Sequence, residues 1–322
     1  MEHFPALASH VRGELSKVIV GQHEVIDQLL VLLACNGHAV IEGVPGLAKT
    51  LMVKSLARVC GLNYHRVQCT PDLMPADVTG TNVFNLQDSS FHLHRGPVFT
   101  DLLLVDEINR TPPRTQSALL EAMEERQVTI DGIRYPLPEN FTLLATQNPI
   151  EFEGTYPLPE AQLDRFLLKI KISYPSAEAE AEILSRYELG FDPRRLDAIA
   201  LTPLDVGLLA AARGEIERVK VEPSLFPYMV AVVRRTRDWP AISVGASPRA
   251  AVGLLFVARA LAAMDGREYL LPDDVKAAAG PVLRHRILLK PEAELEGLTT
   301  DQVIEQVLAT VEVPRVMQTV EH

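Results

Sequence analysis

One segment constrains the fold more than any other: Gly43-Val44-Pro45-Gly46-Leu47-Ala48-Lys49-Thr50. It follows a short apolar run, Ala39-Val40-Ile41, that ends in Glu42 and reads as a strand. It opens a helical pattern with Met52, Leu56 and Val59 on one face. A strand, a Gly-rich turn, Lys-Thr and a helix, in that order, form the context of a phosphate loop. In such a loop the backbone N–H groups and the helix N-terminus point at phosphates. Lys49 then reaches the β- and γ-phosphates, and Thr50 offers its hydroxyl to Mg2+. A plain glycine and proline turn before an ordinary helix would leave the Lys-Thr pair and the preceding strand unexplained. One position departs from the general pattern. Ala48 stands where glycine commonly precedes the lysine, and its methyl fits only if the backbone avoids strongly positive φ.

The surrounding pattern supplies the sheet that such a loop needs. Val25, Ile26, Leu29, Leu30 and Leu33 follow helical spacing. Leu102 to Val105, Phe141 to Ala145 and Phe166 to Ser173 read as buried parallel strands. Strands separated by helices imply βαβ units and a parallel sheet covered on both faces, an α/β class. Two excursions interrupt the alternation. Residues 80–98 hold two short strands, around Asn82–Phe84 and Phe91–His94. Residues 127–138 hold Val128–Ile130 and Ile133–Tyr135 about Asp131-Gly132, a strong hairpin signal. After Tyr174-Pro175 the pattern turns to helices only, near 178–189, 205–219, 273–288 and 301–311. Ser224 reads as the cap of a further helix, and Ser247-Pro248 as an N-cap and first-turn proline of another. Pro281 is expected to kink the helix near 273–288. The expected organisation is therefore an αβα unit over 1–175 and an all-α unit over 176–322.

Leu102 to Val105 leads into Asp106-Glu107. Carboxylates at the carboxyl end of a parallel strand lie beside the phosphate loop, where such sheets bind ligands. Asp106 would hold Mg2+, and Glu107 would orient and polarise an attacking water. Phosphoryl transfer needs mainly such positioning and charge stabilisation. Composition excludes several other classes. The chain has 322 residues and a net charge of −11, against a standing role on nucleic acid or an anionic membrane. Its longest apolar run, 250–258, ends at Arg259, whereas a transmembrane helix needs about 20 residues. The N-terminus carries no basic stretch leading into an apolar run, so no secretory signal is expected. Cys35, Cys60 and Cys69 form no CxxC and suit a reducing, cytoplasmic setting.

Three further motifs complete a set. Thr146-Gln147-Asn148-Pro149 ends the next apolar strand. Pro159-Glu160-Ala161-Gln162-Leu163-Asp164-Arg165-Phe166 ends a helix and enters the following strand. Gly245-Ala246-Ser247-Pro248-Arg249-Ala250 opens a helix of the second unit. With the phosphate loop and Asp106-Glu107-Ile108-Asn109-Arg110, these closely resemble the MoxR family of AAA+ ATPases, of the helix-2-insert clade. The resemblance runs from Val20-Gly21-Gln22 to Leu283-Arg284-His285-Arg286, and Ala48 itself matches the family's loop. It implies an ATP- and Mg2+-dependent ATPase core followed by a helical lid, in rings that are usually hexamers with ATP between subunits. It implies that Val20, Gly21 and Gln22 border the adenine, and that Gly43 through Leu51 and Asp106 hold the nucleotide. Asn148 matches sensor 1, Arg165 the arginine finger and Arg249 sensor 2. Residues 80–98 match the helix-2 insert, and 127–138 the pre-sensor-1 hairpin. Members resemble chaperones that remodel, assemble or activate partner enzymes, often with a von Willebrand type A domain partner.

Arg110 and Arg114 rival Arg165 as the finger, and a salt bridge to Asp164 or another carboxylate is the plain role for Arg165. Arg249 lies in the first turn of its helix, where the dipole does not favour a cation. It acts either in its own subunit or across the interface. Glu124-Glu125-Arg126 reads as a solvated helix end. His92 and His94 share a strand face but lack a third metal ligand. Arg234, Arg235 and Arg237 read as a solvated or subunit-contact face, and Arg134 and Tyr135 as candidates for gripping a substrate at a ring pore. Two other activities share the architecture: an ATPase subunit of a metal-chelatase complex and a DNA-linked helicase or loader.

Overall fold

The computed structural model describes residues 1–148 and 155–314. The chain begins with two helices, α1 (His3–Ser16) and α2 (His23–Ala34). Then come β1 (Ala39–Glu42), α3 (Lys49–Val59), β2 (Tyr64–Gln68) and the short α4 (Pro75–Thr79). A hairpin, β3 (Gly80–Asn85) and β4 (Ser90–Arg95), precedes β5 (Leu102–Asp106) and α5 (Pro113–Glu125). A second hairpin, β6 (Gln127–Ile130) and β7 (Ile133–Pro136), is followed by β8 (Thr142–Gln147), α6 (Glu160–Leu163) and β9 (Leu168–Lys171). The central sheet is all parallel, in the order β2-β5-β8-β1-β9. Every residue of β5 is buried, as covering on both faces requires. Both hairpins stand where expected. The second turns on Asp131 and Gly132, both at positive φ, the conformation that a two-residue hairpin turn demands.

After β9 come α7 (Ala177–Glu188), α8 (Leu208–Arg218), α9 (Leu225–Arg237), β10 (Ile242–Val244) and α10 (Pro248–Met264). The described chain then closes with α11 (Pro272–Leu283), β11 (Leu288–Leu289), α12 (Pro291–Leu295) and α13 (Thr300–Thr310). This region is helical as expected, with one addition. β10 and β11 pair antiparallel, so the pattern near 273–288 is a helix to Leu283 and then a strand. Pro281 lies inside α11, two residues before its end, so its missing N–H costs one bond of the last turns while the helix runs on to Leu283. Ser224 does not cap α9: its backbone is already helical and its hydroxyl is buried without a partner. Ser247 does cap α10, accepting from Arg249 N at 3.2 Å.

Apolar packing runs on across the change near residue 175. α2 buries Leu29, Leu30, Val31, Leu32 and Leu33 in succession, as a helix enclosed on all sides must. It packs on β9 on one side and on α8 and α10 on the other. α1 lies against α3, α8 and α10. The buried Glu215 of α8 takes the backbone N–H groups of Glu2, His3 and Phe4 at 2.8, 3.1 and 2.9 Å. These are the orphan donors at the start of a helix. Burial pushes the Glu215 carboxyl up, but the three bonds outweigh it and hold it below the usual range.

Candidate functional site

The strand order brings three carboxyl ends together: those of β1, β5 and β8. A cavity of about 150 Å³ opens there, lined by Pro45, Lys49, Thr50, Arg66, Gln68, Asp106, Glu107, Thr146 and Asn148. Lys49 opens α3 and donates across the loop to the carbonyls of Gly43 and Val44. Burial lowers its pKa, while the charges of Asp106 and Glu107 pull it the other way. Ala48 corrects an expectation. Its φ is +53°, so the methyl sits in the left-handed region at a cost of about 1–2 kcal/mol, a strain typical of a ligand-binding loop. Glu107 is held the same way, at φ +59°, with its N–H bonded to Thr146 Oγ1 at 2.9 Å.

Asp106 is buried and engaged on both oxygens. Thr146 Oγ1 donates to Oδ1 at 3.1 Å. Thr50 Oγ1 lies 3.4 Å from Oδ2, and Arg66 Nε donates to the same oxygen at 2.6 Å. Arg66 Nη2 also donates to Gln68 Oε1 at 2.8 Å, and Gln68 Nε2 to Glu107 Oε2 at 3.3 Å. Arg110 pairs with that Glu107 oxygen at 3.1 Å. No sequence motif marks Arg66 or Gln68, whereas Thr146 heads the motif that ends in Asn148 and Pro149. A hydroxyl and a carboxylate side by side are the donor set that Mg2+ favours, so Thr50 and Asp106 fit that ion. Pro149 lies outside the described residues.

A second cavity of about 370 Å³ adjoins the loop, lined by Val18, Ile19, Val20, Gln22, Pro45 to Ala48, Leu51, Tyr174, Tyr187 and Phe191 among others. Its walls are mainly apolar and aromatic, as a planar base requires. Gln22 Nε2 donates to the Ser173 carbonyl at 3.1 Å. Gly21 does not line it; a Cβ there would meet Ala179 Cβ at 2.9 Å, so its glycine lets α7 approach.

Arg165 and Arg249 lie elsewhere. Arg165 precedes β9, and β9 runs parallel to β1 with Leu168 level with Ala39 and Lys171 with Glu42. The amides of Leu167 and Leu168 both bond the His38 carbonyl. Arg165 therefore sits at the amino end of the sheet, and the phosphate loop at its carboxyl end. The five residue steps from His38 to Gly43 span roughly 16 Å at strand rise, more than an arginine side chain. The expected strand from Phe166 starts only at Leu168, because the Phe166 carbonyl is taken by His285 Nε2 and Arg286 Nη2 at 2.9 and 2.5 Å.

Both arginines pair with one carboxylate. Arg165 Nη1 lies 2.6 Å from Glu124 Oε2, and Arg249 Nη2 lies 2.8 Å from Glu124 Oε1. Glu124 is exposed near the end of α5, as expected, and is also paired with both arginines. Asp164, named as a plain partner for Arg165, bonds Arg286 and Ser247 instead, at 2.8 and 2.9 Å. Below them, His38 is buried. Its Nδ1 accepts from Leu143 N at 2.9 Å, so its Nε2 carries the proton and donates to the Met123 carbonyl at 3.1 Å. Burial pushes its pKa down to about 4. His285 is driven well below its usual value by burial and by the nearby Arg286 charge.

The other features resolve simply. His92 pairs with Asp88, and no cluster of metal-ligating side chains occurs among the described residues. Arg235 stacks over Trp239 at 5.2 Å, and Arg237 Nε bonds the Ala246 carbonyl at 2.9 Å. Tyr135 packs against the core. No helix among the described residues is long and apolar enough to cross a membrane.

Known proteins share this arrangement. A family model described as "ATPase family associated with various cellular activities (AAA)" matches residues 38–168, and an AAA lid domain matches 234–307. Chaperone MoxR1 of Mycobacterium tuberculosis is 44% identical over 314 residues, 94% of this chain and 81% of that one. Protein MoxR of Methylorubrum extorquens is 32% identical over 333 residues, 95% of each. A crystal structure from Cytophaga hutchinsonii superposes with a TM-score of 0.87 at 43% identity, covering 97% of this chain and 96% of that one.

Proposed function

The chain belongs to the MoxR family of AAA ATPases, and on that premise we propose that it is a Mg2+-dependent ATP hydrolase acting as a hexameric ring. Residues 1–175 form the nucleotide core and 176–322 the lid. In the cytoplasm the ring remodels, assembles or activates a partner enzyme, together with a von Willebrand type A domain protein. The carrying observation is the separation of charges along the sheet. The phosphate end holds Lys49, Thr50, Asp106, Glu107 and Asn148 around one cavity, while Arg165 and Arg249 stand together at the other end.

Within one chain, Val20 and Gln22 border the adenine, Gly21 lets α7 close beside them, and the loop amides and Lys49 hold the phosphates. Thr50 and Asp106 would hold Mg2+, which would supply charge neutralisation at the phosphates. Glu107, fixed in its left-handed conformation, orients and polarises the attacking water. Asn148 meets the γ-phosphate. Arg165 and Arg249 reach the γ-phosphate of ATP bound on the neighbouring copy, where an arginine supplied in trans stabilises transition-state charge. Arg110 pairs with Glu107 of its own chain, at the phosphate end.

The test is a trapped ring. Glu107→Gln protein should bind ATP without turning it over, form a six-membered ring and retain a von Willebrand type A protein and its enzyme. Wild-type hydrolysis should stop when Mg2+ is chelated. Brisk hydrolysis by Glu107→Gln would contradict the role of Glu107. Stimulation by DNA alone, or metal insertion into a tetrapyrrole with added partner subunits, would replace the chaperone reading.

A further inference from the structure

Glu124 lies one residue before the end of α5. It links an arginine of the sheet's amino end to one that opens α10. With Met123, these three side chains enclose a cavity of about 210 Å³. Each carboxylate oxygen takes one guanidinium nitrogen, at 2.6 and 2.8 Å. A guanidinium has five donors, so each arginine keeps capacity for a second anion. Two guanidiniums alone would repel and splay. One carboxylate between them leaves a net charge of +1 and a fixed spacing.

The backbones that carry the three residues are tied together independently. Asp164, beside Arg165, accepts from Ser247 Oγ and from Arg286 Nε. Ser247 caps the helix that carries Arg249. Arg286, only 2% exposed, also donates to the carbonyls of Asp164, Phe166, Leu167 and Val282. His38 ties the Met123 carbonyl to the start of β9. The platform is thus fixed, and Glu124 is what joins the two guanidiniums to each other.

We propose that Glu124 is a positioning residue that yokes Arg165 and Arg249 into one fork for the terminal phosphate of ATP bound on a second copy of the chain. The proposal rests on the reading that both arginines act across the interface. Yoking fixes orientation, and orientation governs the chemical step more than nucleotide binding, which rests on the phosphate loop. Loss of Glu124 therefore lowers kcat and leaves KM for ATP nearly unchanged.

Mixed rings test this. An acceptor chain carries Arg165→Ala, keeping its phosphate end intact. A donor chain carries Glu107→Gln, keeping its arginines. Their mixture should hydrolyse ATP. Adding Glu124→Gln to the donor should lower the recovered kcat about ten-fold, with KM for ATP changed by less than about two-fold. The loss should follow the donor: the same substitution on the acceptor chain should not reproduce it, whereas a general structural role would show in either chain. Co-assembly is confirmed by sizing in every mixture. Equal recovery with the Glu124→Gln donor, increased recovery, or the same loss from either chain overturns the proposal. No recovery with the intact donor overturns the trans reading itself, and the yoke with it.

Discussion

The two ends of the parallel sheet are built on opposite plans. The carboxyl end is a loop and strand tips: a strained Ala48, a strained Glu107 and an Asp106 carboxylate bonded by Thr50, Arg66 and Thr146. The amino end is a welded platform, in which buried His38, His285 and Arg286 bind main-chain carbonyls and hold two arginines at the surface. The first gathers what a nucleotide needs. The second gathers what the first lacks, on the wrong side of its own sheet. On the proposed function, each end is half of a site that another copy completes.

Selective damage should separate the halves. Lys49→Ala should have the largest effect. It removes the phosphate-loop cation, so ATP binding is lost and hydrolysis falls by ~10³-fold or more, as nucleotide titration and phosphate release would measure. Arg165→Ala should cut kcat by about 10³-fold while ATP binding persists. A matching loss of binding would place that arginine at its own phosphate end.

The amino end should also carry the stronger pH dependence. His38 has a folded pKa of about 4, below the unfolded value of about 6.5. An imidazole depressed in this way stabilises the fold fully above pH ~6.5 and loses that contribution as pH falls toward 4, by about 3 kcal/mol at most. Urea midpoints measured from pH 7 to 4 should fall accordingly, and His38→Gln should flatten that limb. The smallest effect belongs to the loop. Ala48→Gly relieves left-handed strain but loosens the unfolded chain, for a net gain of up to about 1 kcal/mol, readable as a small rise in Tm.

Much of the carboxyl end was legible in the sequence because its parts are contiguous. Gly43 to Thr50 and Leu102 to Glu107 are each a strand and the turn after it, and their chemistry travels with the motif. Arg66 and Gln68 escaped notice because β2 is an edge strand with only Val67 buried; no alternation of apolar residues marks it. Glu124 escaped for a different reason. Its role depends on where α10 comes to rest, 125 residues later, and a carboxylate at a helix end looks the same whether it faces water or two arginines. Ala48 takes the left-handed backbone, at φ +53°, because the loop demands that conformation whatever residue occupies it. The placement of Arg249 became clear only through packing. α2 is apolar from Leu29 to Ala34 because α8 and α10 cover it, and that same cover carries Arg249 to the amino end.

The central claim is that the two ends complete each other between copies. The most direct measurement mixes a chain lacking both arginines, Arg165→Ala with Arg249→Ala, and a chain carrying Glu107→Gln. Each alone should be inactive. An equal mixture should recover about a quarter of the wild-type rate, the share of interfaces that join an intact phosphate end to an intact arginine pair under random assembly. A mixture as inactive as its parts, with co-assembly shown by sizing, would contradict the account.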